Sequence, residues 1–425
     1  MNRIFVVSLI LLVFFVISFL TNILGPIIPD IIQSFELSLG VAGFLPFAFF
    51  LAYGVMSIPS GILVERYQEK RVMIAAFVIS SIGAFQFAMM PTFTVAMLSL
   101  FMIGVGMAML QVAINPLLRE AGGKEHFAFN SVLGQLCFGA ASFLSPQVYS
   151  YLVTSLSQQQ QESSWLADLQ SVVPQDMAWV SLYWVFAVVS LLMVIIISLF
   201  HLPKVEQAED EQVGQLAIYR QLFSNRTVLM YFFAIACYVG TEQGVANWMS
   251  QYLSSYHGVD PRLGGADVVS YFWGLLTVGC LLGLLLLKVL DSKVVLMTFT
   301  GLAMVTLLVA LFGDLDTALI AFPLVGFFLS VMWSVIFSLA LNSLKTHHGA
   351  VSGILCTGIV GGALMPLIVG NLAEIVGLQW AMMSLLLTLG YIFWVGYSAQ
   401  PLIRNRTIWH KNTNSDAPVL NNQCQ

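Results

Sequence analysis

One acid stands apart from the other charges of this chain. Glu242 sits in Tyr238-Val239-Gly240-Thr241-Glu242-Gln243-Gly244-Val245-Ala246-Asn247-Trp248, near the middle of an apolar run over about 228–253. A run of that length crosses a bilayer, whose hydrocarbon core of about 30 Å takes roughly 20 helical residues. A carboxylate at such depth costs on the order of 2.5–3.5 kcal/mol on insertion scales, so the protein has to compensate it. No Lys or Arg inside the apolar runs can do so, and burial without a cationic partner disfavours the charged form. Glu242 must therefore be protonated, hold a metal cation (sodium is the candidate), or face a wet cavity. Each of those states suits a coupling ion. The alternative is a structural acid hydrogen-bonded to a neighbouring helix.

Amides gather at similar depth: Asn22, Gln111, Asn115, Gln135, Gln243 and Asn247. Gly104, Ala108, Gln111 and Asn115 recur at i, i+4, i+7 and i+11, on one helical face. Small residues followed by two amides describe either a helix lining a passage or tight helix packing joined by hydrogen bonds. Asn and Gln each offer a donor and an acceptor, which suits the paired hydroxyls of a sugar. Trp273 and Trp333 offer flat faces for the apolar side of a sugar, or plain packing. For sodium, a hard cation, several oxygens are needed; Thr241, Asn22 and carbonyls loosened around Gly240 and Gly244 are the candidates. Asp30, after Pro29 at the end of the first apolar run, reads as a solvated cap.

The elements that must hold these residues are membrane helices. Of 425 residues, 59% are hydrophobic and 9% charged, against about 25% charged in soluble domains. Lipid has to be the solvent for most of that surface. Net charge is −5 without a basic block, which argues against nucleic-acid binding. The five cysteines are scattered with no CxxC pair, and the six histidines fall in loops, helix ends or the tail, so no metal-ligand spacing arises. The first apolar run is too long for a signal segment and no small-residue cleavage site follows, so it reads as a span.

Hydropathy predicts twelve spans, at about 5–30, 39–63, 72–90, 95–118, 128–153, 178–201, 227–254, 267–289, 294–313, 317–343, 350–375 and 378–400. With the N-terminus cytoplasmic, fifteen of the sixteen Lys and Arg residues fall inside and Arg262 alone falls outside, as the positive-inside rule requires. Both termini are then cytoplasmic. The outer loop 154–177 reads as a solvated hairpin. An acidic, then amphipathic stretch at 203–226 reads as a linker between two six-helix bundles, 1–202 and 227–400, followed by a polar cytoplasmic tail at 401–425. A repeat supports the halves. Gly61 to Val72 and Gly283 to Val294 match at a shift of 222 residues, which also lays Thr21-Asn22 over Gln243-Gly244 and Gln111 over Trp333. Matching polar positions in two halves are a feature of transporters built from repeats.

At Gly61-x-Leu63-x-Glu65-Arg66-x-x-x-Lys70-Arg71 the chain resembles the cytoplasmic motif of the major facilitator superfamily, with Glu in place of the usual Asp. Gly106-Met107-Ala108-Met109-Leu110-Gln111-Val112-Ala113-Ile114-Asn115-Pro116 resembles the span-four motif of its fucose–proton symporter family. Ile336 to Leu341 and Gly361 to Glu374 resemble the span-ten and span-eleven signature, and Val239 to Glu242 is similar to span seven of the glucose/galactose branch. The resemblance implies an all-α fold of twelve helices in two bundles around a central sugar site, with ion-coupled uptake and no other cofactor. Two departures stand out. The family's span-one proton-carrying Asp falls at Gly25, and the acid of the fucose carriers' span four is Gln111 here. Glu242 is left as the main coupling acid.

These readings make the chain a bacterial inner-membrane symporter rather than an enzyme, working as a monomer on a small sugar, with sodium slightly favoured over a proton. Solute contacts fall to Asn22, Gln111, Asn115, Gln135, Gln243, Asn247, Trp273 and Trp333; the ion to Glu242, Thr241 and Asn22. Glu65, Arg66, Lys70 and Arg71 are expected to lock or release an inner gate by exchanging ion pairs. The competing class is a proton-coupled exporter of amphipathic small molecules.

Overall fold

A computed structural model of the chain describes residues 3–122, 127–157, 164–174, 176–200, 202, 216–344 and 348–401. Every regular element among them is helical. Eleven stretches are long and apolar enough to cross a membrane: α1 Ile4–Phe35, α2 Leu39–Val64, α3 Glu69–Met89, α4 Phe93–Ile114, α6 Ala178–Leu199, α7 Arg226–His257, α8 Pro261–Leu287, α9 Ser292–Phe312, α10 Leu315–Asn342, α11 Val351–Val376 and α12 Leu378–Ser398. The twelfth, α5 (Phe127–Ser157), has the length, with 31 residues. It is more polar, and it packs against both α1 and α8. Each predicted span has its helix. Two short helices lie between spans, Ser164–Val172 where a hairpin was expected and Leu216–Phe223 in the second part of the linker. Linker residues 203–215 and the tail from 402 lie outside the described residues.

Helix ends follow local chemistry. Asn225 accepts from the Thr227 N–H at the start of α7 (2.9 Å), and Gly258 closes that helix with φ +68°. Asp291 and Asp314 cap α9 and α10 in the same way.

Two hydrophobic cores result. One spans Val6 to Ile197 and takes in Ala266 and Ala363; the other spans Leu222 to Ala399 and takes in Ile28 and Ala42. In lipid, helices associate by close packing more than by water exclusion, so small residues set the approach. A methyl on Gly104 of α4 would lie 2.3 Å from the Phe49 carbonyl oxygen of α2, and Ala108 is fully buried. Those two residues seat α4 on α2 and line no passage.

The two helices related by the repeat, α1 and α7, differ. In α1 the segments Arg3–Thr21 and Leu24–Phe35 are separated by a break at Asn22-Ile23. Pro26 causes it, having no N–H to offer the Asn22 carbonyl and a ring that crowds it. Helix α7 runs unbroken for 32 residues, so the loosening expected at Gly240 and Gly244 does not occur. Methyls there would meet the side chains of Met365 (2.5 Å) and Leu385 (2.7 Å). These glycines serve the approach of α11 and α12.

Candidate transport site

Glu242 lies at mid-helix on α7 and is half-buried. The Tyr238 hydroxyl, one turn earlier, donates to its Oε2, and Gln243 Nε2 approaches Oε1 at 3.3 Å. The Tyr238 ring is tilted against Trp333 of α10 (6.2 Å between centroids), which in turn stacks on Phe337 (6.1 Å). Cys280 of α8 is within electrostatic reach of the acid, and its Sγ meets the Ser330 carbonyl of α10 at 3.3 Å. Parts of α7, α8 and α10 thus converge on one carboxyl, and no cation lies among its neighbours. What this arrangement can do is take up and release a proton beside an aromatic face.

The predicted solute residues divide. Gln111 and Trp333 are half-buried and Gln135 is exposed, all three with surface left for a ligand. Asn22, Gln243, Asn247 and Trp273 are at most 5% exposed. Asn247 donates to the Gln243 carbonyl (2.8 Å) and side-chain oxygen (3.2 Å), so these two amides hold each other. The Trp273 ring packs edge-on against Phe272, and its buried indole N–H has no partner among the described residues. The Asn115 side chain lies outside what the structure describes.

The two residues expected to join Glu242 as ion ligands have other partners here. The Thr241 hydroxyl bonds to the Cys237 carbonyl (2.8 Å) and to Thr388 of α12 (2.6 Å). Thr241 starts about 100° round the axis from Glu242, and its hydroxyl is turned to α12. Asn22 turns its amide to α5, donating to Ser142 (2.8 Å) and Ser18 (3.3 Å). Helix α7 is unbroken, and neither side chain is bonded to the acid.

A second constellation, at the far end of α1, escaped the sequence reading. Asp30 is not a solvated cap but 4% exposed, because α1 continues to Phe35 instead of ending at 30. Its Oδ1 meets Arg262 Nε and Nη2, each at 3.0 Å, and its Oδ2 accepts from the Tyr149 hydroxyl. The pair joins the two halves. Nearby, Gln147 of α5 donates to Asp267 of α8 (2.8 Å), Ser270 to the Phe143 carbonyl (2.5 Å), and the Gly40 N–H to Glu374 of α11 (2.8 Å). All four links cross between halves at the same end. The available signal was that Arg262 is the one basic residue the charge count leaves on that side.

Toward the other end the described contacts between halves are apolar: a methyl on Gly54 of α2 would lie 3.2 Å from Val360 of α11. Helices α5 and α8 also touch at Gly139, where a methyl would lie 1.9 Å from Thr277 Oγ1. One turn along the same face, Gln135 is exposed. Segment Leu24–Phe35 of α1 packs on α7, whereas Arg3–Thr21 packs on α4 and α5 of its own half. At that end Lys70 Nζ donates to the Ser198 (2.9 Å) and Phe200 (2.7 Å) carbonyls, capping α6. Arg66 lies over the Tyr67 ring and, like Arg71, is exposed. Of the four expected gate residues, Lys70 is thus engaged within its own half, and the Glu65 side chain lies outside what the structure describes.

Comparison with known proteins agrees with this architecture. The chain is 29% identical over 406 residues to the glucose/galactose transporter of Brucella abortus, spanning 92% of this chain and 93% of that one. It is 23% identical to the L-fucose-proton symporter of Escherichia coli, over 86% of each. A crystal structure of the E. coli fucose:proton symporter superposes with a TM-score of 0.66 at 21% identity, covering 93% of this chain and 99% of that one. The family model described as Major Facilitator Superfamily matches residues 10–359. With its membrane helices in two cores and a match across most of its length, the chain belongs to the major facilitator superfamily.

Proposed function

We propose that this protein takes up a hexose-like sugar together with a proton, by alternating access across a bacterial inner membrane. The observation that carries the reading is Glu242: a carboxyl at mid-helix, without a cation among its neighbours, bonded to Tyr238 whose ring lies against Trp333. A proton needs only the carboxyl. Sodium would need further oxygens, and Thr241 and Asn22 are committed elsewhere, so the sequence-based preference for sodium gives way. Relatives named for glucose, galactose and fucose support the solute class, as do Gln111 and Gln135, whose amides can pair with hydroxyls. The segregation of Lys and Arg puts both termini in the cytoplasm and the Asp30–Arg262 end outside. On that reading the polar links between halves at Asp30, Gln147, Ser270 and Gly40 close the outer end.

In the cycle, the Asp30–Arg262 pair separates and the outer end opens. A proton neutralises Glu242, sugar binds against Trp333 and the amides, and the loaded carrier closes because no bare charge is left to bury. Reforming the pair seals the outer end, and the inner end releases sugar and then proton.

Vesicle uptake of labelled D-glucose, D-galactose and L-fucose tests this. A protonophore is expected to abolish accumulation, and removal of sodium to leave it intact; the reverse result overturns the proton assignment. Glu242→Gln is expected to lose gradient-driven accumulation while keeping solute counterflow. Undiminished accumulation in that variant removes Glu242 from the coupling role.

A further inference from the structure

We propose that Tyr238 is a positioning residue that transmits the protonation state of Glu242 to the aromatic face of Trp333. This rests on the reading of Glu242 as the coupling acid and adds to it a connection between ion site and solute site. Tyr238 is 4% exposed, with its hydroxyl on Glu242 and its ring against Trp333. A carboxylate only accepts, and here each oxygen faces a donor: Oε2 the Tyr238 hydroxyl, Oε1 the Gln243 amide at the longer distance of 3.3 Å.

Adding a proton weakens that arrangement. A neutral acid keeps acceptor capacity on both oxygens, so neither donor is forced off. A hydrogen bond to an ionised acceptor, however, is shorter and roughly twice as strong as one between neutral groups. The carboxylate therefore holds the Tyr238 hydroxyl fast, and the neutral acid lets it turn about its C–O bond and the ring settle in a new orientation. No covalent bond breaks other than that of the arriving proton with its carrier. The tyrosine ring lies between the acid and Trp333, and Trp333 rests on Phe337, so the reorientation is felt along α10. Other groups around the acid do not compete for this role. Cys280 faces it from α8, its thiol taken by the Ser330 carbonyl. The α10 side presents Trp333, and α12 presents Thr388 to the neighbouring Thr241; neither is ionisable.

The test uses the full-length protein in lipid nanodiscs without any sugar. Tryptophan emission is followed as pH is lowered, and the Trp333 part is isolated by subtracting the Trp333→Phe variant. Wild type is expected to show a pH-dependent Trp333 signal, lost in Glu242→Gln and lost in Tyr238→Phe, which keeps the ring and removes the hydroxyl. A signal kept in Tyr238→Phe overturns the proposal, since the carboxyl charge would then act on Trp333 directly; so does a wild type with no Trp333 response. A signal kept in Glu242→Gln instead overturns the reading of Glu242, so the two failures are distinguishable. Infrared difference spectra of ring-labelled wild type, acid minus neutral, give a measurement independent of whether Tyr238→Phe folds. A tyrosine C–O band shifting together with a carboxyl C=O band supports the proposal, and a carboxyl band that moves alone overturns it.

Discussion

Helices α1 and α7 occupy matching positions in the two halves, yet they divide the work. The first is broken at Asn22-Ile23 by Pro26 and carries its acid, Asp30, near one end, where Arg262 meets it across the seam. The second is continuous and carries its acid at the centre, with no cation nearby. A bend beside a cross-half ion pair suits an element that moves. A straight helix holding an unpaired carboxyl suits an element that keeps a proton site in register with α8 and α10. On the proposed reading one repeat unit serves as the gate and the other as the coupling post, since helix bending and precise side-chain placement are hard to obtain from the same few residues.

The sharpest way to break this comparison is at the pair itself. Removing one partner of a buried ion pair leaves the other uncompensated. Arg262 keeps 37% of its side-chain surface, so water softens the loss to about 1–3 kcal/mol, a shift of roughly 5- to 150-fold between closed and open. Asp30→Asn or Arg262→Gln should therefore raise labelling of Ala42→Cys, a fully buried position packed on the other half's core, by an impermeant thiol reagent added from the Arg262 side, in a background without native cysteines. The charge-reversed double variant should bring labelling back toward wild type. Equal labelling in all of them would mean that the pair is no gate.

A smaller effect is expected at two glycines. A methyl on Gly25 would lie 2.2 Å from the Ala246 carbonyl oxygen, part of the α7 backbone, whereas one on Gly240 would meet Met365 Cγ at 2.5 Å, an atom that rotation about the first side-chain bond can move. Overpacking a rigid contact costs about 1–3 kcal/mol, and at Gly25 that cost falls only on the state closed at the Asp30 end. Gly25→Ala should slow uptake and raise the same cysteine labelling. Gly240→Ala, whose clash lies within one half and can be relieved by a rotamer change, should lower the thermal midpoint slightly and leave labelling alone. If the two behave alike, α1 and α7 do not differ in the way described.

How far these features could be read beforehand follows from their range. The spans were legible because burying a helix in lipid demands a long apolar run, and the one basic residue that the charge count left outside is the one paired with Asp30. Glu242 was legible for the same reason, as a violation of that rule. Asp30 was misjudged because its partner is 232 residues away and because the end of α1 was placed five residues early. The loosened α7 was misjudged because Gly240 and Gly244 look the same whether they permit unwinding or the approach of Met365 and Leu385. Only a neighbouring helix decides between those, and no local pattern contains it. Thr241 was placed beside the ion by adjacency in sequence, whereas its hydroxyl is turned to α12.

That last point gives the finest test. Thr241 and Thr388 share a fully buried hydrogen bond of 2.6 Å between α7 and α12, on the side of α7 turned away from the acid. Replacing Thr388 with Val removes this bond but leaves Thr241 its carbonyl partner on Cys237, so the stability loss should be modest, about 0.5–1.5 kcal/mol, seen as a lower thermal midpoint. The dependence of uptake on the proton gradient should be unchanged, since nothing bound at Glu242 loses a ligand. Were Thr241 an ion ligand held in place by Thr388, the same substitution would weaken coupling more than it weakens the fold. Measuring both in one variant therefore separates packing against α12 from ion binding at Glu242, and confines the coupling function of α7 to the face shared by Tyr238 and Glu242.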